Sequence, residues 1–179
     1  MKFVIQAVMG LSLVFVEPAF AATAAPASQA GVPSAAHVKA VHDLLGVMHL
    51  EYALRGVAAR SRFPSEDQRK AVFARLDKMP PAEVYQRLAP PLARVISADT
   101  AIEMTRFYKT PYGKQVIHRK YNSSAGVVMP GMREGVPAEE KKERKRAAYV
   151  VASKELADAE PMFQHEAFKL VQLISREKR

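Results

Sequence analysis

Between Val38 and Ile174 the apolar residues recur every three or four positions, and nowhere do they alternate over a stretch long enough for a strand. Spacing by three and four lays side chains along one face of a helix, whereas alternation by two would lay them on one face of a sheet. The pattern therefore predicts an all-α fold. Val38, Val41, Leu45, Met48 and Tyr52, with Leu44 beside them, predict a first helix from an N-cap at Ser34 to about Ala59.

Prolines and cap residues divide the rest of the chain. Phe63-Pro64 is a break, after which Ser65 opens a second helix with Gln68 as its capping-box partner and Val72, Phe73 and Leu76 as its apolar face. Met79-Pro80-Pro81 ends it. A third helix starts near Pro81 with Val84, Tyr85 and Leu88, and Pro90-Pro91 predicts an interruption because two backbone donors are lost there. Leu92, Val95 and Ile96 continue apolar. Ser97 or Asp99 caps a fourth helix that carries Ile102, Met104, Thr105, Phe107 and Tyr108. Thr110 precedes a proline and so marks a boundary, and Pro111 opens a fifth helix with Val116, Ile117 and Tyr121 inward. From Asn122 to Pro137 the chain reads as irregular, although Val127, Val128, Met129 and Met132 make it apolar for a loop. A sixth helix from Ala138 to about Ala159 turns apolar at Tyr149, Val150, Ala152 and Leu156. Pro161 opens a last one with Phe163, Ala167, Leu170, Val171 and Ile174. The expectation is one all-α domain of about six or seven helices over residues 35–179.

The first 21 residues read as a cleavable secretory signal. Lys2 gives a positive start, Phe3–Val16 is an apolar run broken only by Gln6, Gly10 and Ser12, and Ala19-Phe20-Ala21 places small residues where a signal peptidase reads them. That run is shorter than the roughly 20 residues a membrane-spanning helix needs. Residues 22–34, rich in Ala, Ser, Thr, Gly and Pro and without charge up to Ser34, read as a flexible leader. There is no cysteine, which rules out disulfides, a lipobox anchor and cysteine-based metal sites. No second long apolar segment predicts a transmembrane helix. Together these features predict a soluble protein exported through the inner membrane to the periplasm.

The net charge of +9 concerns partners rather than fold. No zinc-finger spacing or RNA-recognition motif accompanies it, so nucleic acid is not an expected partner. In the periplasm the available polyanions are lipid headgroups, lipopolysaccharide and cell-wall polymers.

One motif stands out. Phe107-Tyr108-Lys109-Thr110-Pro111-Tyr112-Gly113-Lys114 resembles the bacterial exported family known as domain of unknown function 2059. That family shows Phe-Tyr, a variable residue, Ser or Thr, Pro, a variable residue and Gly, below an acidic helix matched here by Asp99 and Glu103. The resemblance covers about Leu88 to Tyr121, with a similar helix at Val38–Leu50. It implies a helical exported domain and supplies no catalytic residues. On physical grounds Phe107 closes one helix against the core, Thr110 caps the next, and Gly113 removes a side chain where two helices meet. Phe107, Tyr108, Thr110, Pro111 and Gly113 thus read first as architecture.

The same stretch carries a binding hypothesis. From Arg106 to Arg133 there is no Asp or Glu, while Arg106, Lys109, Lys114, Arg119, Lys120 and Arg133 are interleaved with Tyr108, Tyr112 and Tyr121. A helix start offers free N–H groups and a positive dipole end, so Thr110, Tyr112 and the neighbouring cations form a candidate anion site.

Other constellations carry less. His42 and His49 are two turns apart, about 10 Å of rise, which does not suit one ion. No helical zinc motif occurs, and no metal or cofactor is expected. His165 and Glu166 are adjacent and do not face each other on a helix. Ser, His and Asp are all present, but no local signature joins them into a nucleophilic site. In the basic run Lys141–Arg146, Glu140 can pair with Arg144 and Glu143 with Arg146, which reads as a solvated face. Two function classes remain: a non-catalytic exported protein that binds a protein partner or an anionic envelope component, or a hydrolase-like enzyme whose site leaves no sequence signature.

Overall fold

The computed structural model describes residues 32–122 and 137–177, and the side chains of all of these except Tyr121 and Asn122. The signal segment 1–21, most of the leader, Arg133, the apolar loop residues Val127, Val128, Met129 and Met132, and the inward placement of Tyr121 lie outside what is described. Nine helices and no strand are found among the described residues: α1 (Ala35–Val47), α2 (Leu50–Arg60), α3 (Glu66–Lys78), α4 (Pro81–Leu92), α5 (Ala98–Lys109), α6 (Pro111–Asn122), α7 (Ala138–Glu143), α8 (Ala147–Asp158) and α9 (Glu160–Arg176). The fold is all-α.

Two expected helices are each split in two. The first begins at Ser34, whose hydroxyl accepts from the His37 N–H at 3.2 Å, but it stops at Val47 and not near Ala59. His49 takes a left-handed backbone, φ 52°, and α2 starts afresh at Leu50. The break shifts the phase of burial. A continuous helix would place Tyr52 on the face of Val41, Leu45 and Met48, yet Tyr52 is 57% exposed, and Leu50, Leu54 and Val57 are buried instead. The reason is packing: α1 lies against α4 and α5, whereas α2 lies against α9. The expected helix from Ala138 breaks at Arg144–Arg146, which separates the polar α7 from α8 with its buried Ala152 and Leu156.

Pro90 and Pro91 do not interrupt α4. They occupy its last turns, and the helix runs on to Leu92, with Ala93 N–H donating to Ala89 O at 2.8 Å. The carbonyls that lose helical donors belong to Gln86 and Arg87, both exposed residues, where water can serve them. Ser65 caps α3 through the Gln68 N–H at 3.2 Å, but the Gln68 side chain does not return to the cap; it donates to Ser175 Oγ at 2.7 Å and ties α3 to α9. Ile102, grouped with the apolar face of α5, is 61% exposed.

The core forms where α1 meets α4 and α5, where α5 meets α8, and where α9 crosses α2, α3 and α4. Val41, Leu44, Leu45, Leu92 and Ile174 are fully buried there. Ser97 caps α5 through the Thr100 N–H, and Glu155 of α8 reaches the same end, accepting from Ser97 N–H, Ser97 Oγ at 3.0 Å and Thr100 Oγ1 at 2.7 Å. A carboxylate at a helix start is favoured by the unpaired N–H groups there. The contact fixes α8 alongside α5, and so sets one wall of the site described next.

Candidate functional site

The Phe107–Lys114 motif is the joint between α5 and α6. Thr110 serves both helices: its hydroxyl donates to Phe107 O at 2.7 Å and accepts from the Gly113 N–H at 3.0 Å, while its carbonyl accepts from Lys114 N–H at 2.9 Å. Pro111 starts α6, where its missing N–H loses nothing. A methyl group on Gly113 would stand 2.1 Å from Phe107 O and 2.7 Å from Tyr108 Cα, so only glycine fits the approach of the two helices. These bonds also use two of the donors that the start of α6 would offer an anion, those of Gly113 and Lys114, and Pro111 has none.

Behind the joint the rings of Phe107, Tyr108, Tyr112 and Tyr149 cluster, with Phe107 at 4.8 Å from Tyr149, 5.2 Å from Tyr108 and 6.1 Å from Tyr112 between centroids. They line a cleft of about 410 Å³ between α5, α6 and α8. Its floor is apolar, made by Met48, Met104, Phe107 and Leu156, and its rim carries Arg119, Lys120, Glu140 and Glu160. Burial pushes the Tyr108 phenol up to about 12, and burial likewise raises Tyr149. Lys120 faces Glu160 at 3.5 Å across the rim.

The candidate anion ligands separate in space. Tyr108, Tyr112, Arg119 and Lys120 reach the cleft. Thr110, Pro111, Tyr112 and Arg119 also line a second, outer depression of about 660 Å³, closed on its other side by Pro137, Glu139, Lys142 and Glu143. Tyr112 and Arg119 form the partition between the two. Lys109 and Lys114 are exposed and line neither.

Arg106 lies in an acidic grip. It meets Glu103 through Nε at 3.0 Å and Nη2 at 2.8 Å, and Glu143 through Nη1 at 3.3 Å and Nη2 at 2.5 Å. Two forked carboxylate contacts of this kind are strong and directional. They hold the guanidinium charged far beyond its ordinary range and keep the Glu103 carboxyl below the usual carboxylate value. Arg146 completes the network, 3.2 Å from Glu103 and 3.5 Å from Glu143. Beside it Tyr112 donates to Glu140 Oε2 at 2.6 Å, and Arg144 pairs with the same carboxylate at 2.5 Å. Burial raises the Tyr112 phenol, with Glu140 adding to the effect. The Tyr112 bond, followed by Arg144, lowers the Glu140 carboxyl.

The stretch from Arg106 to Arg133 is thus acid-free in sequence but not in space. Glu103 one turn before Arg106 was legible from its spacing of three. Glu140, Glu143 and Tyr149 come from α7 and α8, and no local spacing points to them. The Glu140–Arg144 and Glu143–Arg146 pairs along the basic run do form. His42 sits 3.5 Å from Asp43, and its ring packs edge-on to Tyr85 at 5.8 Å, while His49 faces Glu51 at 3.3 Å. Among the described residues no group of three or more His, Asp or Glu side chains is placed to hold a metal ion, and no helix is long and apolar enough to cross a membrane.

No family model matches the chain, and no curated protein or solved structure matches it either.

Proposed function

We propose that this chain is exported, cleaved after Ala21, and acts in the periplasm as a non-catalytic binding protein that takes an anionic amphiphile of the envelope, such as a lipid with a phosphate headgroup, at the α5–α6–α8 cleft. The observation that carries the reading is the division of that cleft into an apolar floor of Met48, Met104, Phe107 and Leu156 and a polar rim on which Arg119, Lys120 and Tyr112 stand beside Glu140 and Glu160. Mostly apolar lining with a few placed polar groups is the usual composition of small-ligand sites. Cations and a phenol at the rim suit phosphate or carboxylate oxygens. The charge of +9 favours the approach to an anionic surface. Export rests on the three-part N-terminus, and kinship with the exported family rests on the Phe107–Gly113 motif.

The test is recovery of the protein from the periplasm of cells grown with the full-length chain, followed by native mass spectrometry. The reading expects a chain beginning at Ala22 and carrying a co-purified phospholipid or other acidic amphiphile. A chain that retains Met1, or one that never carries such a ligand and does not take one up, overturns it.

A further inference from the structure

No residue of α7 is buried. Its connections to the neighbouring helices are polar and run through two carboxylates one turn apart. Glu140 accepts from the Tyr112 hydroxyl of α6, and Glu143 grips Arg106 of α5 and Arg146 at the start of α8. Arg106 and Tyr112 are two of the groups that the sequence marks as anion ligands. Both are engaged by acids of a short helix of the same chain, and Arg106 by Glu103 of its own helix as well.

The position of α7 adds a second observation. Glu140 stands at the rim of the cleft, while Pro137, Glu139, Lys142 and Glu143 wall the outer depression. Tyr112 and Arg119 belong to both spaces. Withdrawal of α7 would take away the far wall of the outer depression, uncover the Tyr112 hydroxyl and release the Glu143 side of Arg106. Glu103, on Arg106's own helix, would still hold that guanidinium in place.

We propose that α7 is a built-in competitor for the anion site, in which Glu140 and Glu143 stand in for the acidic oxygens of a phosphate headgroup, so that an anionic lipid binds fully by displacing them. The inference rests on the binding reading given above and adds its regulation. Because α7 buries no apolar residue, its polar ties can be exchanged for those of another anion with little loss of packing. A site that is open only part of the time binds with an affinity reduced by that fraction, and removal of the competitor restores it.

The experiment compares Glu140→Gln/Glu143→Gln with a control of equal charge change on α3, which lines neither space, Glu66→Gln/Asp77→Asn, on vesicles of phosphatidylglycerol and of phosphatidylcholine. Hydrogen exchange of residues 138–143 is followed in the same samples. The competitor variant should bind phosphatidylglycerol about tenfold more tightly than the control, the usual size of such coupling. In the parent protein, phosphatidylglycerol should speed exchange in α7 while α5 stays protected. Inorganic phosphate at matched ionic strength should speed that exchange too if the free anion is enough, and leave it unchanged if the lipid is required; either result fits displacement by the shared group. Equal tightening by the two double variants, or slower α7 exchange when lipid binds, overturns the competitor while the binding reading stands. Absence of binding to phosphatidylglycerol by every form overturns both.

Discussion

The space beside Gly113 is filled by Phe107: a Cβ on the glycine would lie 2.1 Å from the Phe107 carbonyl oxygen. That oxygen also accepts from the Thr110 hydroxyl and N–H, so it cannot move without loosening the turn between α5 and α6. Gly113→Ala should therefore destabilise the protein by about 1–3 kcal/mol or more, and Gly113→Val further. Urea denaturation followed by circular dichroism measures it, and an unchanged midpoint for the alanine variant would show that the helices do not meet this closely.

His49 tests the split of the first helix in a different way. A left-handed backbone is tolerated by glycine and strained for a β-branched residue. His49→Val should lower stability by about 1–2 kcal/mol, while His49→Gly should leave the thermal midpoint close to the parent or raise it. Equal stability of the two variants would mean that α1 runs straight into α2.

Acid should loosen the α5–α7 network. The carboxyls of Glu103 and Glu140 lie below the ordinary value of 4.5, so the unfolded chain takes up protons before the folded one does. The stability they contribute is complete above about pH 4.5 and is lost as pH falls through their lowered folded values. Arg106→Gln should flatten the part of this dependence that comes from Glu103. A parent and variant with parallel stability curves between about pH 5 and pH 3 would contradict the assignment.

At the alkaline end Tyr108 should be the late-titrating phenol. Burial holds it to about 12, whereas an unfolded tyrosine ionises near 10. Its raised value favours the folded state below about pH 10, and that contribution is lost as pH rises through the folded value. A phenolate absorbance titration of the parent against Tyr108→Phe should show the missing step at the high end. A missing step near 10 would show that the ring is wet.

The helical class was legible because burial on a helix leaves a local trace every three or four residues. The joint was legible for the same reason: Thr110-Pro111 and Gly113 are each dictated by backbone chemistry within a few positions. The break at His49 was not, because apolar residues continue through it and only the change of main partner from α5 to α9 shifts the buried phase from Met48 to Leu50 and Leu54. Pro90-Pro91 misled in the opposite direction, since loss of donors is tolerated where the orphaned carbonyls belong to exposed residues. The candidate site was half legible. Tyr108, Tyr112, Arg119 and Lys120 come together as one helical turn after another brings them to the cleft, whereas Lys109 and Lys114 point elsewhere and Arg106 is held by acids, one of them distant in sequence.

The direct test of anion binding at the cleft compares two charge-matched pairs on phosphatidylglycerol vesicles: Arg119→Gln with Lys120→Gln at the rim, and Lys109→Gln with Lys114→Gln outside it. Each pair removes the same two positive charges from a chain of +9, and circular dichroism confirms that both remain helical. Binding to phosphatidylglycerol is predicted to fall about tenfold or more for the rim pair and only slightly for the outer pair, with little binding to phosphatidylcholine by any form. Equal losses for the two pairs would reduce the interaction to overall charge and contradict the site.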